Sequence, residues 1–262
     1  MPELPDVETF RRYVDATSLH QRIAGVDLDA TRMLQGARAD EVRSALTGGR
    51  FERTARRGKF LFVAIDDGPW LVLHFGMTGL LTYFKADGAA PSHTRLLVQF
   101  EDGYRLAGIW RRRLGRIDLA HDPDDFAVTN DLGPDAFEPE LGRDALASML
   151  RARRGGLKSA LMDQSFVAGI GNVYSDEILF QAGLLPDRAA AELTDDELDA
   201  LHRTLRHVLA TAIDRQADPG RLPSSWLLPR RENGAHCPRC GGELAHDHVA
   251  GRTAWYCPRC QG

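Results

Sequence analysis

The chain has 262 residues, 43% of them hydrophobic and 27% charged, with a formal net charge of −4. That length buries a sizeable core and fits two or three domains. No apolar run approaches a membrane span and no basic-then-apolar leader opens the chain, so a membrane protein is excluded and a cytoplasmic one expected. The acidic balance argues against a nucleic-acid binder taken as a whole, but the charge is unevenly spread. Basic residues bunch at positions 53–59, 111–116, 151–158 and 230–231, whereas positions 121–141 hold seven acids and no Lys or Arg. Such islands are compatible with one local phosphate-binding face.

The chain opens Met1-Pro2-Glu3-Leu4-Pro5-Asp6-Val7-Glu8. Removal of Met1 would expose Pro2 as a secondary amine, which titrates near ~8 and attacks aldehyde carbons to form an iminium. Glu3 beside it could donate or accept a proton. The same residues would also serve simply to start a helix, with Pro5 at its first position and Asp6 and Glu8 in an acidic first turn. Val7, Phe10 and Val14 then recur at helical spacing. Residues 23–28 alternate as a strand, and 39–46 read as a short helix ended by Gly48-Gly49. Strand-like runs follow at 51–55, 60–65, 71–75, 80–84, 96–100 and 104–109, with Asp102-Gly103 as a hairpin turn between the last two. Many short strands with little helix between them predict an antiparallel sandwich or barrel. The Asp-, Pro- and Gly-rich stretch 123–139 reads as a domain boundary.

Beyond it the pattern turns helical, over 145–151 and again from Lys158 to Asp163. In Phe166-Val-Ala-Gly-Ile-Gly-Asn172 two glycines bracket an isoleucine, which predicts a tight turn feeding a helix over 173–182. Thr194-Asp-Asp-Glu197 is a capping box opening a long amphipathic helix to Ile213. The four cysteines all fall in the last 26 residues, as Cys237-x2-Cys240 and Cys257-x2-Cys260. That spacing predicts one tetrahedral zinc ion. Four protein ligands leave no open position, so the metal is expected to be structural rather than catalytic. His236, His246 and His248 are then surface residues.

Four features occur in one order: Pro2-Glu3 at the start, a strand-rich first half, the turn around Gly169-Ile-Gly-Asn172, and a terminal four-cysteine ribbon. Together they resemble the formamidopyrimidine-DNA glycosylase and endonuclease VIII family of base-excision repair enzymes, and the Pro-Glu-Leu-Pro opening is closer to the formamidopyrimidine branch. The resemblance covers essentially the whole chain. It implies an α+β multidomain fold. An antiparallel β-sandwich with flanking helices would span residues 1–130, and an acidic linker 131–141. A helix–two-turns–helix domain would span 142–228, and a zinc ribbon 229–262.

The resemblance also implies roles. Pro2 matches the Schiff-base nucleophile, Glu3 the acid–base partner, and Asp6 the position of a second acid that the family usually fills with Glu. Lys59 matches a strand lysine beside the lesion phosphate. His74, Asn172 and Arg252 match further phosphate contacts, and Lys158 is expected on the DNA as well. Met77 matches the residue that fills the hole left by an extruded base. Arg112 and Leu114 stand where the formamidopyrimidine branch wedges an Arg and a Phe. The segment 218–226 is short beside the loop that caps flipped 8-oxoguanine there. The implied activity is a bifunctional DNA glycosylase and abasic-site lyase, acting as a monomer on damaged double-stranded DNA in the nucleoid by β,δ-elimination. An endonuclease VIII-like preference for oxidised pyrimidines and a non-excising damage-binding protein are the alternatives. A transcription-factor zinc ribbon would leave the N-terminus unexplained.

Overall fold

A computed structural model describes residues 1–30 and 32–262. The chain divides into two compact units, one of residues 1–2 and 6–130, the other of residues 3–5 and 131–262. The first helix, α1 (Leu4–Thr17), therefore begins in one unit and continues in the other. Among the described residues, no helix is long and apolar enough to cross a membrane.

The first unit is a sandwich of two antiparallel sheets. Its strands are β1 (Ile23–Leu28), β2 (Phe51–Arg57), β3 (Phe60–Ile65), β4 (Trp70–His74), β5 (Leu80–Lys85), β6 (Thr94–Phe100), β7 (Tyr104–Ile109) and β8 (Arg116–Ala120). One sheet runs β1-β6-β7-β5 and the other β2-β3-β4-β8. Alternation puts Leu61, Val63 and Ile65 of β3 and Leu71 and Leu73 of β4 into one core with Leu96, Val98 and Phe100 of β6. Val7 and Val14 of α1 enter the same core, as do Val42 and Leu46 of α2 (Ala39–Leu46).

Two elements of this unit escape the sequence reading. β8 is hidden behind the basic run, because its outward Asp118 looks like a surface charge. In the structure Asp118 is 2% exposed and pairs with Arg116 at 2.6 Å. The second is α3 (Pro123–Thr129), which occupies the front half of the expected boundary stretch. The Asp122 carboxylate accepts from the Asp124 and Asp125 N–H groups, so the acids there cap a helix rather than solvate a linker. Phe126 then covers the outer face of the second sheet, edge-on to Phe60 and Phe62 at centroid distances of 5.2 and 5.3 Å.

The second unit holds α4 (Arg143–Arg151), α5 (Leu157–Met162), α6 (Asn172–Ala182), α7 (Asp195–Asp214) and the hairpin β9 (Ala245–Val249) and β10 (Arg252–Tyr256). α6 is its axis, with every residue from Tyr174 to Phe180 buried. Thr194 and Glu197 form the expected capping box on α7, whose Leu198, Leu201, Leu205, Val208 and Leu209 face the helical core. The 218–226 segment is anchored to that core by Leu222 and Trp226. Phe180 of α6, Leu227, Leu244 and Trp255 form a further cluster with Cys237 and Cys257, so the helices and the ribbon make one compact unit.

Phe126 supplies most of the apolar surface that α3 contributes. Phe126→Ala is expected to cost about 3 kcal/mol of stability, measured by urea unfolding. A loss under about 1 kcal/mol would mean that α3 does not cover the sheet.

Candidate active site

The N-terminal residues are held by the turn that starts α6. Leu4 N–H donates to the Gly169 carbonyl at 3.0 Å. Gly169 has φ +112°, and a Cβ there would lie 2.5 Å from Leu4 Cδ1, so only glycine admits this approach. Glu3 is fully buried. Its carboxylate accepts from the backbone N–H groups of Gly171 and Val173 at 2.8 Å each and Tyr174 at 3.1 Å. These are donors that a helix start leaves without partners, at the positive end of its dipole. Such N–H groups can also bind an external anion; here these three go to Glu3. Pro2, covalently next to Glu3, is half-buried, as is Asp6 in the first turn of α1.

Lys59 is not in a strand, as expected, but in the two-residue turn Gly58-Lys59 between β2 and β3, where Gly58 takes φ +54°. The turn is braced from beneath by Arg56, which sequence reasoning missed. Arg56 is 6% exposed, donates to the Gly58 carbonyl at 3.2 Å and pairs with Glu8 of α1 at 3.4 Å. Glu8 also binds Arg11 at 2.8 Å, and these cations hold its carboxyl below the usual range although burial alone would raise it. The only advance sign is that Arg56 lies within a basic island, which does not reveal a buried partner.

His74 ends β4. The Gly76 N–H donates to its Nδ1 at 3.3 Å, which leaves Nε2 as the protonated nitrogen of the neutral ring. Its pKa is lowered to about 4, by burial first and then by the Lys59 and Arg116 charges. His74 is thus a neutral donor at pH 7. Beyond it, Met77, Arg112 and Leu114 come together. Arg112 Nη1 lies 3.4 Å from Met77 Sδ, and a Cβ on Gly76 would meet the Leu114 carbonyl at 2.4 Å. Met77 and Leu114 are 38% and 51% exposed, an unusual state for large apolar side chains.

The basic islands do not simply add up to a phosphate face. Arg57 pairs with Asp124, Arg113 with Asp29, Arg151 with Asp195 and Arg153 with Asp163. Lys158, expected on DNA, is fully buried against Asp176 at 2.5 Å. Its ammonium also donates to the Asn172 carbonyl and to Ser175 Oγ. By contrast Arg252 is exposed at the start of β10, next to the two-residue turn Ala250-Gly251. Both turn residues take positive φ, as a tight hairpin requires. Asn172 opens α6, and its side-chain Oδ1 is buried without a hydrogen-bond partner.

The sulfur atoms of Cys237, Cys240, Cys257 and Cys260 all lie within 4.8 Å of one another. The Cys237–Cys260 and Cys240–Cys257 separations are 3.8 and 3.6 Å. Zn–S bonds of ~2.3 Å in a tetrahedron require roughly 3.8 Å between sulfurs. No disulfide has that length. The set fits one structural zinc ion.

Comparison with known proteins agrees with this arrangement. Residues 1–117 match the formamidopyrimidine-DNA glycosylase N-terminal domain, 132–222 its H2TH domain, and 236–262 the zinc finger found in FPG and IleRS. The formamidopyrimidine-DNA glycosylase of Desulforamulus reducens is 34% identical, over all of this chain and 99% of its own. The chain belongs to the formamidopyrimidine-DNA glycosylase family. The enzyme of that name from Thermomicrobium roseum is 36% identical over all of this chain and 99% of its own. Among solved structures, Lactococcus lactis Fpg in complex with abasic-site DNA superposes with a TM-score of 0.89 at 28% identity, covering 99% of both chains. MutM in complex with carbocyclic 8-oxo-G DNA superposes equally well at 29% identity.

Within this family member, two predictions separate metal from charge. Cys237→Ala is expected to release the zinc and abolish DNA binding while the sandwich stays folded, because the ribbon is too small to hold itself together without its ion. Metal analysis and binding to a duplex with an abasic-site analogue check this; a zinc-free wild type or a variant with normal binding would overturn it.

The second prediction concerns His74. Its folded pKa lies below the unfolded ~6.5, so the folded state binds fewer protons between the two values. The stability that His74 contributes above about pH 6.5 is therefore lost as pH falls toward about 4. A neutral contact releases no counterion. His74→Ala should weaken DNA binding by about 1 kcal/mol and leave its salt slope unchanged, whereas Arg252→Ala should lower the slope by about one unit. Equal slope changes in the two variants would show that His74 is charged on DNA.

Proposed function

We propose that the protein is a bifunctional DNA glycosylase and abasic-site lyase of base-excision repair, acting on damaged double-stranded DNA. The observation that carries this reading is the anchoring of Glu3 on the start of α6, which fixes the chain end beside Pro2. With Met1 removed, Pro2 attacks C1′ of the damaged nucleotide as the base departs with a proton; the C1′–O4′ bond then breaks as O4′ takes a proton, which opens the sugar ring and leaves an iminium linking protein to sugar. The iminium acidifies the neighbouring sugar hydrogens, so elimination breaks first the 3′ and then the 5′ phosphate bond. Glu3 is the acid–base partner and Asp6 a second acid, one methylene shorter than the family's usual Glu. Lys59, His74, Asn172 and Arg252 hold phosphates. Met77, Arg112 and Leu114 enter the duplex in place of the extruded nucleotide. The working form is a monomer, cytoplasmic and nucleoid-associated.

The preferred lesion follows from the 218–226 segment. Leu222 and Trp226 anchor it in the helical core, and Asp218 closes a turn by accepting from the Gly220 N–H at 2.9 Å. A short anchored segment supplies few hydrogen bonds to a flipped base, and specificity in such pockets depends on those bonds. Abasic DNA needs only the phosphate grip. Borohydride should therefore trap the protein on abasic DNA through Pro2. Single-turnover excision should be slower for 8-oxoguanine and dihydrouracil than cleavage at an abasic site. An adduct mapped to a lysine would overturn the nucleophile. Excision of 8-oxoguanine opposite cytosine at the abasic rate would overturn the open pocket.

A further inference from the structure

Three successive polar residues, Ser175, Asp176 and Glu177, lie at the centre of a helix buried from Tyr174 to Phe180. Charged side chains are almost never this buried unless paired. Asp176 is the most heavily bonded of the three. Its Oδ1 accepts from Lys158 Nζ at 2.5 Å. Its Oδ2 accepts from Arg231 Nε at 3.0 Å and from the Trp255 backbone N–H at 3.1 Å, with Arg231 Nη2 at 2.9 Å. One carboxylate thus joins α5, α6, the lead-in to the ribbon and strand β10.

The two cations it binds meet again at a second point. Lys158 Nζ and Arg231 Nη2 both donate to the Asn172 carbonyl, at 3.2 and 3.3 Å. Asn172 and Arg252 are the two residues of this unit assigned to DNA phosphate. The first is tied to the carboxylate through these cations, and the second sits three residues before Trp255 on β10. Glu177 adds a parallel tie, accepting from the Leu228 N–H at 2.7 Å; burial pushes its carboxyl up to about 7. The far end of the ribbon is held separately, where Gln261 donates to the Leu184 carbonyl at 2.7 Å.

We propose that Asp176 is the positioning residue that sets β10 against the start of α6, so that Asn172 and Arg252 grip one stretch of DNA backbone together. The proposal rests on the phosphate-contact reading of those two residues. Burial opposes ionisation of both Asp176 and Lys158; each favours the other's charged form, and Arg231 favours that of Asp176 but opposes that of Lys158. A buried pair of this kind adds little stability compared with apolar residues of the same size, but removing one partner is costly. Its value here is geometric.

The test is a double-mutant cycle between Asp176→Asn and Arg252→Ala, read on a duplex carrying an abasic-site analogue across a range of salt. Asp176→Asn is expected to retain zinc, to weaken binding about tenfold and to lower the salt slope by about one unit. The cleavage rate at saturating DNA should stay at the wild-type level. In the cycle the second change should add little to the first, because a displaced Arg252 has no contact left to lose. A merely structural Asp176 would give additive losses and a wild-type salt slope, and either result overturns the proposal. If Asp176→Asn does not fold, Arg231→Gln removes one of the two cations while Lys158 still neutralises the carboxylate. It should shift the slope in the same direction, and an unchanged slope there overturns the proposal too. Borohydride trapping of the wild type keeps the functional reading separate: without trapping that reading fails, whatever the cycle shows. If Arg252→Ala itself leaves wild-type binding unchanged, the phosphate assignment fails and the proposal with it.

Discussion

The carboxylate of Glu3 on the N-terminus of α6 is the constraint from which the site follows. A chain terminus is normally the loosest region of a domain, yet covalent chemistry at an N-terminal amine needs that amine held to within about an ångström. Three backbone N–H donors fix the Glu3 side chain, and the Leu4–Gly169 bond fixes the next peptide. Because the donors belong to a helix start, the anchor is as rigid as the helix. Because α6 is buried along its length, the helix is as rigid as the core. The Gly169-Ile-Gly-Asn172 turn therefore serves the chain end directly, with Gly169 giving Leu4 room and Gly171 giving Glu3 a donor.

The same economy governs the charges. An acidic chain binds a polyanion only if a few cations are left in the right places. The islands at 53–59 and 151–158 are largely consumed in pairs with Asp and Glu, some of them deeply buried, such as Arg56 with Glu8 and Lys158 with Asp176. These cations act on the site at one remove. Arg56 braces the turn that carries Lys59, and Lys158 and Arg231 brace the residue that opens α6. Net charge reported none of this, since a paired arginine and an exposed one count alike.

The sequence therefore showed the site unevenly. The strands β1, β3 and β7 and the helices α2 and α7 were legible because alternation, glycine stops and a capping box are local signals. The cysteine pairs were legible because their spacing is itself the geometry. β8 and α3 were not, since Asp118 and the Asp122 cap look like surface acids, although Arg116 and the Asp124 and Asp125 N–H groups that hold them lie only two or three residues away. Lys158 was assigned to DNA as the last residue of a basic island, and only the fold reveals Asp176 eighteen residues on. Ser175-Asp176-Glu177 was the one available hint, a polar run within an otherwise apolar helix.

The exposed side chains of Met77 and Leu114 are held by a different device. Met77 and Leu114 remain exposed although burying them would be worth a kcal/mol or more each. They are not held apart by flexible chain. Gly76, at φ +59°, packs so closely under the Leu114 carbonyl that no side chain fits, and Arg113 takes a left-handed conformation at φ +49° while pairing with Asp29. The backbone that carries the two apolar side chains is thus ordered by packing within the fold. Arg112 lies beside them, its Nη1 3.4 Å from Met77 Sδ.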